Sequence, residues 1–151
     1  MANVSRIEGN EMKQEVFLPD DYRPAEDEPF MNDRQVEYFR RKLLNWKSEL
    51  MAGSRDTIEG LQDGTRNIPA VAARASEETA LALDLRTLDL QRKLVAKIEA
   101  ARRRIYEVEY GYCIVTGEPI SLKRLDARPI ATMSLEAQER HERREKVHRD
   151  D

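Results

Sequence analysis

Apolar residues in the middle of the chain recur at heptad spacing. Leu94, Ile98, Ala101, Ile105 and Val108 step by four, three, four and three, the seam of a helix that packs along its length. No Gly or Pro interrupts the stretch from Leu81 to Tyr110. A helix of about 30 residues is roughly 45 Å long, too long to be buried in a chain of this size, so it protrudes and needs a partner. Upstream, Val36, Phe39, Leu43, Trp46 and Leu50 form a second seam with the same steps. Between the seams lies Gly60-Leu61-Gln62-Asp63-Gly64-Thr65-Arg66-Asn67-Ile68-Pro69, dense in residues that stop helices. Two seams joined by such a segment predict an antiparallel helical hairpin with an exposed tip. A parallel coiled-coil dimer would leave the break unexplained.

Taken in order, residues 1–33 are an N-terminal lead-in. Its Pro-rich, acidic stretch from Phe17 to Pro29 favours extended and turn conformations; Phe17, Leu18 and Tyr22 either dock on the hairpin base or belong to a disordered tail. The hairpin occupies 34–110, with its tip near 64–76. Asn32 is the expected N-cap of the first arm, with Gln35 completing a capping box and Met31 facing Val36 as a staple. Past Leu50, Gly53, Thr57 and Gly60 occupy seam positions while Met51, Ile58 and Leu61 run one position out of phase, which predicts a register shift and a weaker distal half. The second arm is expected to begin between Ala70 and Ser76. Leu81, Leu83, Leu85, Leu88 and Leu90 cannot share one stripe, so some face water or another protein. Residues 111–151 form a small domain: a β-prone, turn-rich knuckle from Gly111 to Ile120, a basic connection from Leu122 to Pro129, and a last helix capped by Ser134.

Composition narrows the function classes. The chain is 40% hydrophobic and 36% charged, which suits long solvated helices better than a large core. A net charge of −3 implies no global attraction to nucleic acid or anionic membranes. No apolar run approaches a membrane span, residues 1–13 lack the pattern of a signal peptide, and one cysteine excludes an internal disulfide. A cytoplasmic location follows as an expectation. No phosphate loop, nucleophile elbow or histidine–carboxylate set points to an enzyme. The Arg140–Arg149 segment interleaves Glu139, Glu142 and Glu145 and lacks an aromatic platform, which disfavours nucleic-acid binding.

The hairpin followed by Tyr110-Gly111-Tyr112-Cys113, Gly117-Glu118-Pro119-Ile120 and Arg124-Leu125-Asp126-Ala127-Arg128-Pro129 resembles the DksA family, bacterial regulators that enter the secondary channel of RNA polymerase. The resemblance covers residues 34–147. It implies a mainly α fold: a long antiparallel coiled-coil hairpin with a small zinc-finger-like α/β knuckle domain. Where the family carries two Cys-x-x-Cys pairs, this chain has Cys113, Thr116, Ser134 and Ala137. One thiol, two hydroxyls and a methyl do not make a tetrahedral zinc site, so the chain resembles the cysteine-poor, zinc-independent members and no metal is expected. Tyr112, Ile120, Leu125 and Met133 then hold the knuckle together. Recruitment of His141 and His148 with Cys113 would bring only three ligands. No cationic neighbour in sequence argues for a lowered Cys113 pKa.

The resemblance further implies a non-enzymatic transcription regulator that modulates promoter-complex stability. It acts as a monomer without sequence-specific DNA binding, with guanosine tetraphosphate as co-effector of the stringent response at the polymerase interface and no stably bound cofactor. At the tip the match falls on Asn67, Ala70, Ala73 and Ala75; Ala70 and Ala73 replace a family pair of aspartates. Candidate polymerase contacts are Arg86, Arg92 and Lys93, while Leu88 and Leu90 stand where basic residues are common. Leu94, Lys97 and Arg128 match the residues lining the alarmone site, with Lys97 and Arg128 facing phosphates, and Gln138 replaces a further basic residue. The alternative is a coiled-coil adaptor that dimerises through the surplus leucines.

Overall fold

The computed structural model describes residues 16–63 and 71–150. Among the described residues four helices follow in order: α1 (Asp33–Gln62), α2 (Val71–Tyr106), α3 (Leu122–Ala127) and α4 (Leu135–Asp150). Helices α1 and α2 run antiparallel, since Lys47 pairs with Glu99 at 2.6 Å while Ser54, further along α1, meets Gln91, further back on α2, at 2.7 Å. Asn67 and Ala70, with all of 64–70, and the side chain of Ala73 lie outside the described residues.

Helix α1 starts where its cap predicts. Asn32 accepts from the Gln35 amide at 2.8 Å, satisfying a donor that has no partner inside the helix. The Gln35 side chain reaches back to the Met31 amide at 2.8 Å rather than to that of Asn32, and donates to the Ala25 carbonyl at 3.2 Å. Fully buried Gln35 thus ties the lead-in to the helix start. The lead-in docks: Tyr22 stacks edge-on against Tyr38 and donates to Glu28 at 2.7 Å.

The core sits at the hairpin base, where both arms meet the knuckle. Phe39, Leu43, Ile98, Ile120 and Leu125 are fully buried, each worth about 1.5–3 kcal/mol of transfer free energy; Trp46, Leu50, Leu94, Ile105 and Met133 pack around them. Toward the tip the seam holds its register through Thr57 and shifts by one position only at its end. Gly53, Ser54 and Thr57 stay half-buried while Met51 and Ile58 turn outward, contrary to the sequence expectation; beyond them Gly60 is exposed and Leu61 half-buried, as that expectation had it. Gly53 leaves room for the facing side chain: a Cβ there would lie 3.3 Å from Gln91 Nε2. The distal seam is therefore polar, and Leu81, Leu83, Leu85 and Leu90 are exposed around it.

Three further expectations are corrected. Helix α2 ends at Tyr106, so Val108 is not a seam residue; it is 74% exposed with φ +62°, and buried Tyr110 takes the inward position instead. The amides of Glu109 and Tyr110 fold back onto the Arg104 carbonyl at 2.8 and 3.1 Å, satisfying the helix end at the expense of a left-handed β-branched residue. The 111–120 knuckle holds one isolated bridge, between Tyr112 and Pro119, and no strand among the described residues. The domain is thus helical rather than α/β. Its turn is closed by Cys113 N to Glu118 O at 2.8 Å, Gly117 N to Cys113 O at 2.9 Å and Ile120 N to Gly111 O at 2.7 Å, too few rungs for a ladder. The basic connection contains α3, capped by the Ser121 hydroxyl.

Candidate functional site

At the base of the hairpin, cationic and polar side chains converge around an enclosed space. Helix α2, the knuckle, α3 and the start of α4 surround a cavity of about 180 Å³ lined by Lys97, Arg104, Arg124, Arg128, Tyr110, Thr132 and Gln138, with apolar walls from Ala100, Ala101, Ile130 and Ala131. Lys97 and Arg104 stand seven residues apart on one face of α2. Arg124 lies on α3 and Arg128, four residues on, is its C-cap, with the Arg128 amide closing that helix on the Arg124 carbonyl at 2.8 Å. Arg104 donates to the Tyr112 carbonyl at 2.8 Å, and Arg124 to the Met133 carbonyl at 2.9 Å. Tyr110 donates to the Pro129 carbonyl at 2.7 Å, and burial pushes its hydroxyl well above the ordinary phenol range. The cavity floor is therefore neutral and fixed, and its charged rim is positive, suited to an anion.

Lys97, Arg128 and Gln138 come together in this cavity. Leu94 does not line it but packs against the core. Arg86 is exposed further along α2. Arg92 and Lys93 are exposed and both held by Asp89, at 2.9 Å each; those bonds, Lys93 first, hold its carboxyl below the usual range. Ala75 is exposed near the start of α2. Sequence reasoning missed Arg104 and Arg124. The heptad step from Lys97 to Arg104 and the helical step from Arg124 to Arg128 were the available signals.

The four knuckle positions also come together, though not as a metal site. Cys113 is 2% exposed. Burial raises its pKa, but hydrogen bonds from the Thr116 hydroxyl and from backbone amides of Ser134, Thr116 and Val115 outweigh it and bring the thiol down to about 6. The lowering that a cationic neighbour did not predict comes instead from convergent N–H and O–H donors. Ser134 spends its hydroxyl on the Ala137 amide at 3.3 Å, capping α4, and Ala137 is buried. His141 bonds Glu145 at 3.2 Å and, like His148, is exposed. Among the described residues no group of three or more His, Cys, Asp and Glu could hold a metal ion. The donor set does not fit zinc.

A second polar cluster fixes the knuckle on the hairpin. Tyr38 and Lys42 of α1 each donate to Asp126 of α3 at 2.6 Å. Burial raises the Asp126 pKa, yet the bonds from Lys42 and Tyr38 prevail and hold it low. Burial and the same bond push the Tyr38 hydroxyl up to about 12. Gly111 seats the junction: its φ is +91°, and a Cβ would come within 3.0 Å of the Met31 side chain, so no other residue fits there without strain.

Comparison with known proteins agrees with this architecture. Residues 35–105 match the family model of the DnaK suppressor protein DksA, N-terminal domain, and residues 109–143 match that of the prokaryotic dksA/traR C4-type zinc finger. The RNA polymerase-binding transcription factor DksA of Caulobacter vibrioides is 65% identical over 131 residues, 87% of this chain and 92% of the relative. Its namesake from Escherichia coli K12 is 35% identical over 125 residues, 83% of each. The solved structure of transcription factor DksA2 from Pseudomonas aeruginosa superposes with a TM-score of 0.71 at 39% identity, covering 78% of this chain and 90% of that one. A long antiparallel hairpin, a knuckle bolted to its base and relatives matched along nearly their whole length converge on one assignment: the chain belongs to the DksA family.

Proposed function

We propose that this chain is a non-enzymatic transcription regulator that binds RNA polymerase through its secondary channel and modulates promoter-complex stability, with guanosine tetraphosphate held at the interface. The observation that carries the reading is the cationic cavity at the base of a slender hairpin. A 36-residue arm is roughly 54 Å long, enough to reach into a pore while the knuckle stays at the mouth. Lys97 and Arg128 would then face phosphates beside Leu94, and Arg86, Arg92 and Lys93 would meet the channel. Freeing Arg92 and Lys93 from Asp89 costs little, because exposed pairs are worth about 0–1 kcal/mol.

In functional terms the chain divides into the 1–33 lead-in, the 34–110 hairpin and the 111–151 knuckle domain, a zinc-finger-like unit that works without zinc. Asn67, Ala70, Ala73 and Ala75 form the working tip. Methyl groups at 70 and 73 cannot offer the charge or hydrogen bonds of two aspartates, so polymerase binding persists while promoter-complex destabilisation is weak. A polymerase partner places the protein in the cytoplasm, as a monomer that does not read DNA sequence. A pull-down with core RNA polymerase, followed by competition with another channel-entering factor, tests the binding. Restoring aspartate at 70 and 73 should raise activity in transcription in vitro; no change defeats the tip assignment.

The exposed leucines favour one rival, a coiled-coil adaptor. Leu83 is 61% and Leu90 54% exposed, one heptad apart on α2. Light scattering over a concentration series separates the two: an obligate dimer that ignores polymerase supports the adaptor.

A further inference from the structure

We propose that Arg104 and Arg124 belong to the anion site as binding residues, each presenting an anchored guanidinium to the phosphates that Lys97 and Arg128 face. This rests on the nucleotide reading above and extends it to two residues of the same cavity.

Three observations carry it. First, the cavity is lined by four cationic side chains and no carboxylate. Like charges gathered without an internal counter-ion raise the energy of the free protein, and a bound anion relieves them. Second, both guanidinium groups are held in place by backbone carbonyls. Arg104 uses Nη2, on Tyr112 at 2.8 Å with a longer contact to Glu109 at 3.4 Å; Arg124 uses Nε, on Met133 at 2.9 Å. Those bonds spend one nitrogen of each fork. The other N–H donors remain for a phosphate, and a fork already fixed loses less freedom on binding than a mobile lysine. Third, Arg104 and Arg124 are half-buried while Lys97 and Arg128 are exposed. Charges on the inner wall are screened less by salt than those on the rim.

The volume fits this division of labour. About 180 Å³ is the space of roughly six water molecules, suited to a phosphate or diphosphate group rather than a whole nucleotide. The inner arginines meet that group, and the base stays at the mouth for the partner to contact. Neutral Gln138 in the same lining then need not be basic, since the inner wall already supplies charge.

A purely structural role is the competing account, because Arg104 also clamps the end of α2 to the knuckle. The test uses the full chain bound to core RNA polymerase and guanosine tetraphosphate as probe, with polymerase alone subtracted. Arg104→Gln and Arg124→Gln should each weaken nucleotide binding roughly tenfold or more, the scale of one lost charge-assisted hydrogen bond. Each should also flatten its dependence on salt, read on the complex at saturating protein so that any change in polymerase affinity itself is removed from the comparison. Arg104→Lys should recover most of the affinity and the salt dependence. Wild-type affinity and slope in both glutamine variants would overturn the proposal, as would equal failure of Arg104→Lys and Arg104→Gln. If the wild-type chain binds polymerase yet adds no nucleotide site, the assignment of Lys97 and Arg128 fails and this one falls with it.

Discussion

The surviving knuckle cysteine makes stability depend on pH. With its pKa near 6 in the folded chain and about 8.5 in an unfolded one, the folded state binds fewer protons between those values. The depressed pKa therefore contributes stability that is fully present above pH 8.5 and is lost as pH falls through 6. The ceiling is about 1.4 kcal/mol per pH unit in that window. Because the sulfur is almost wholly buried, where solvation of a thiolate is poor, the expected gain is smaller, about 1–2 kcal/mol between pH 6 and pH 8. Urea unfolding followed by far-UV circular dichroism at half-unit steps measures it, and thiolate absorbance near 240 nm, roughly the ultraviolet band of ionised cysteine, locates the titration. Cys113→Ser removes the titrating group and should flatten the curve over the same range. The exposed imidazoles of His141 and His148 remain in both proteins, so the difference isolates the thiol. Parallel curves for the two proteins would refute the cradle of donors as the cause.

Other predictions are local. Val108→Gly should stabilise the chain by roughly 1 kcal/mol, since an exposed β-branched residue at positive φ carries strain that glycine lacks; a lower melting temperature would contradict this. Ile98→Ala should cost about 2–5 kcal/mol and Leu85→Ala less than about 0.5, because the first is fully buried and the second half-exposed; denaturant midpoints decide. Gln91→Leu combined with Ser54→Ala should stabilise the distal hairpin by replacing a polar seam pair with an apolar one, read as slower amide exchange along the distal arms.

Much of the fold was legible because long helices announce themselves locally. The seam residues Phe39, Leu43, Ile98 and Ala101, the Asn32 cap and the Ser134 cap each follow from spacing or side-chain chemistry within a few positions. The knuckle was less legible. Ser121 and the six residues of α3 are too short for a periodic signal, and the β-prone stretch 111–120 forms only one bridge because its turn closes before a ladder can grow. Met51 and Ile58 misled the distal register for a related reason: both are apolar, but the bond between Ser54 and Gln91 keeps the polar face inward up to Thr57, and only Leu61 beyond it follows the expected shift.

The candidate site divides along the same line. Sequence alone determined that a paired-arm hairpin meets a knuckle with one thiol, since periodicity, breakers and donor counts are properties of neighbouring residues; Lys97 and Arg128 drew attention only through the resemblance to a family. Only tertiary structure decided that Arg104 and Arg124 join them around one cavity, and that amide donors from residues some 20 positions apart converge on the Cys113 sulfur. Charge crowding and hydrogen-bond convergence depend on distances through space, which are set when α2, α3 and α4 close around a shared core.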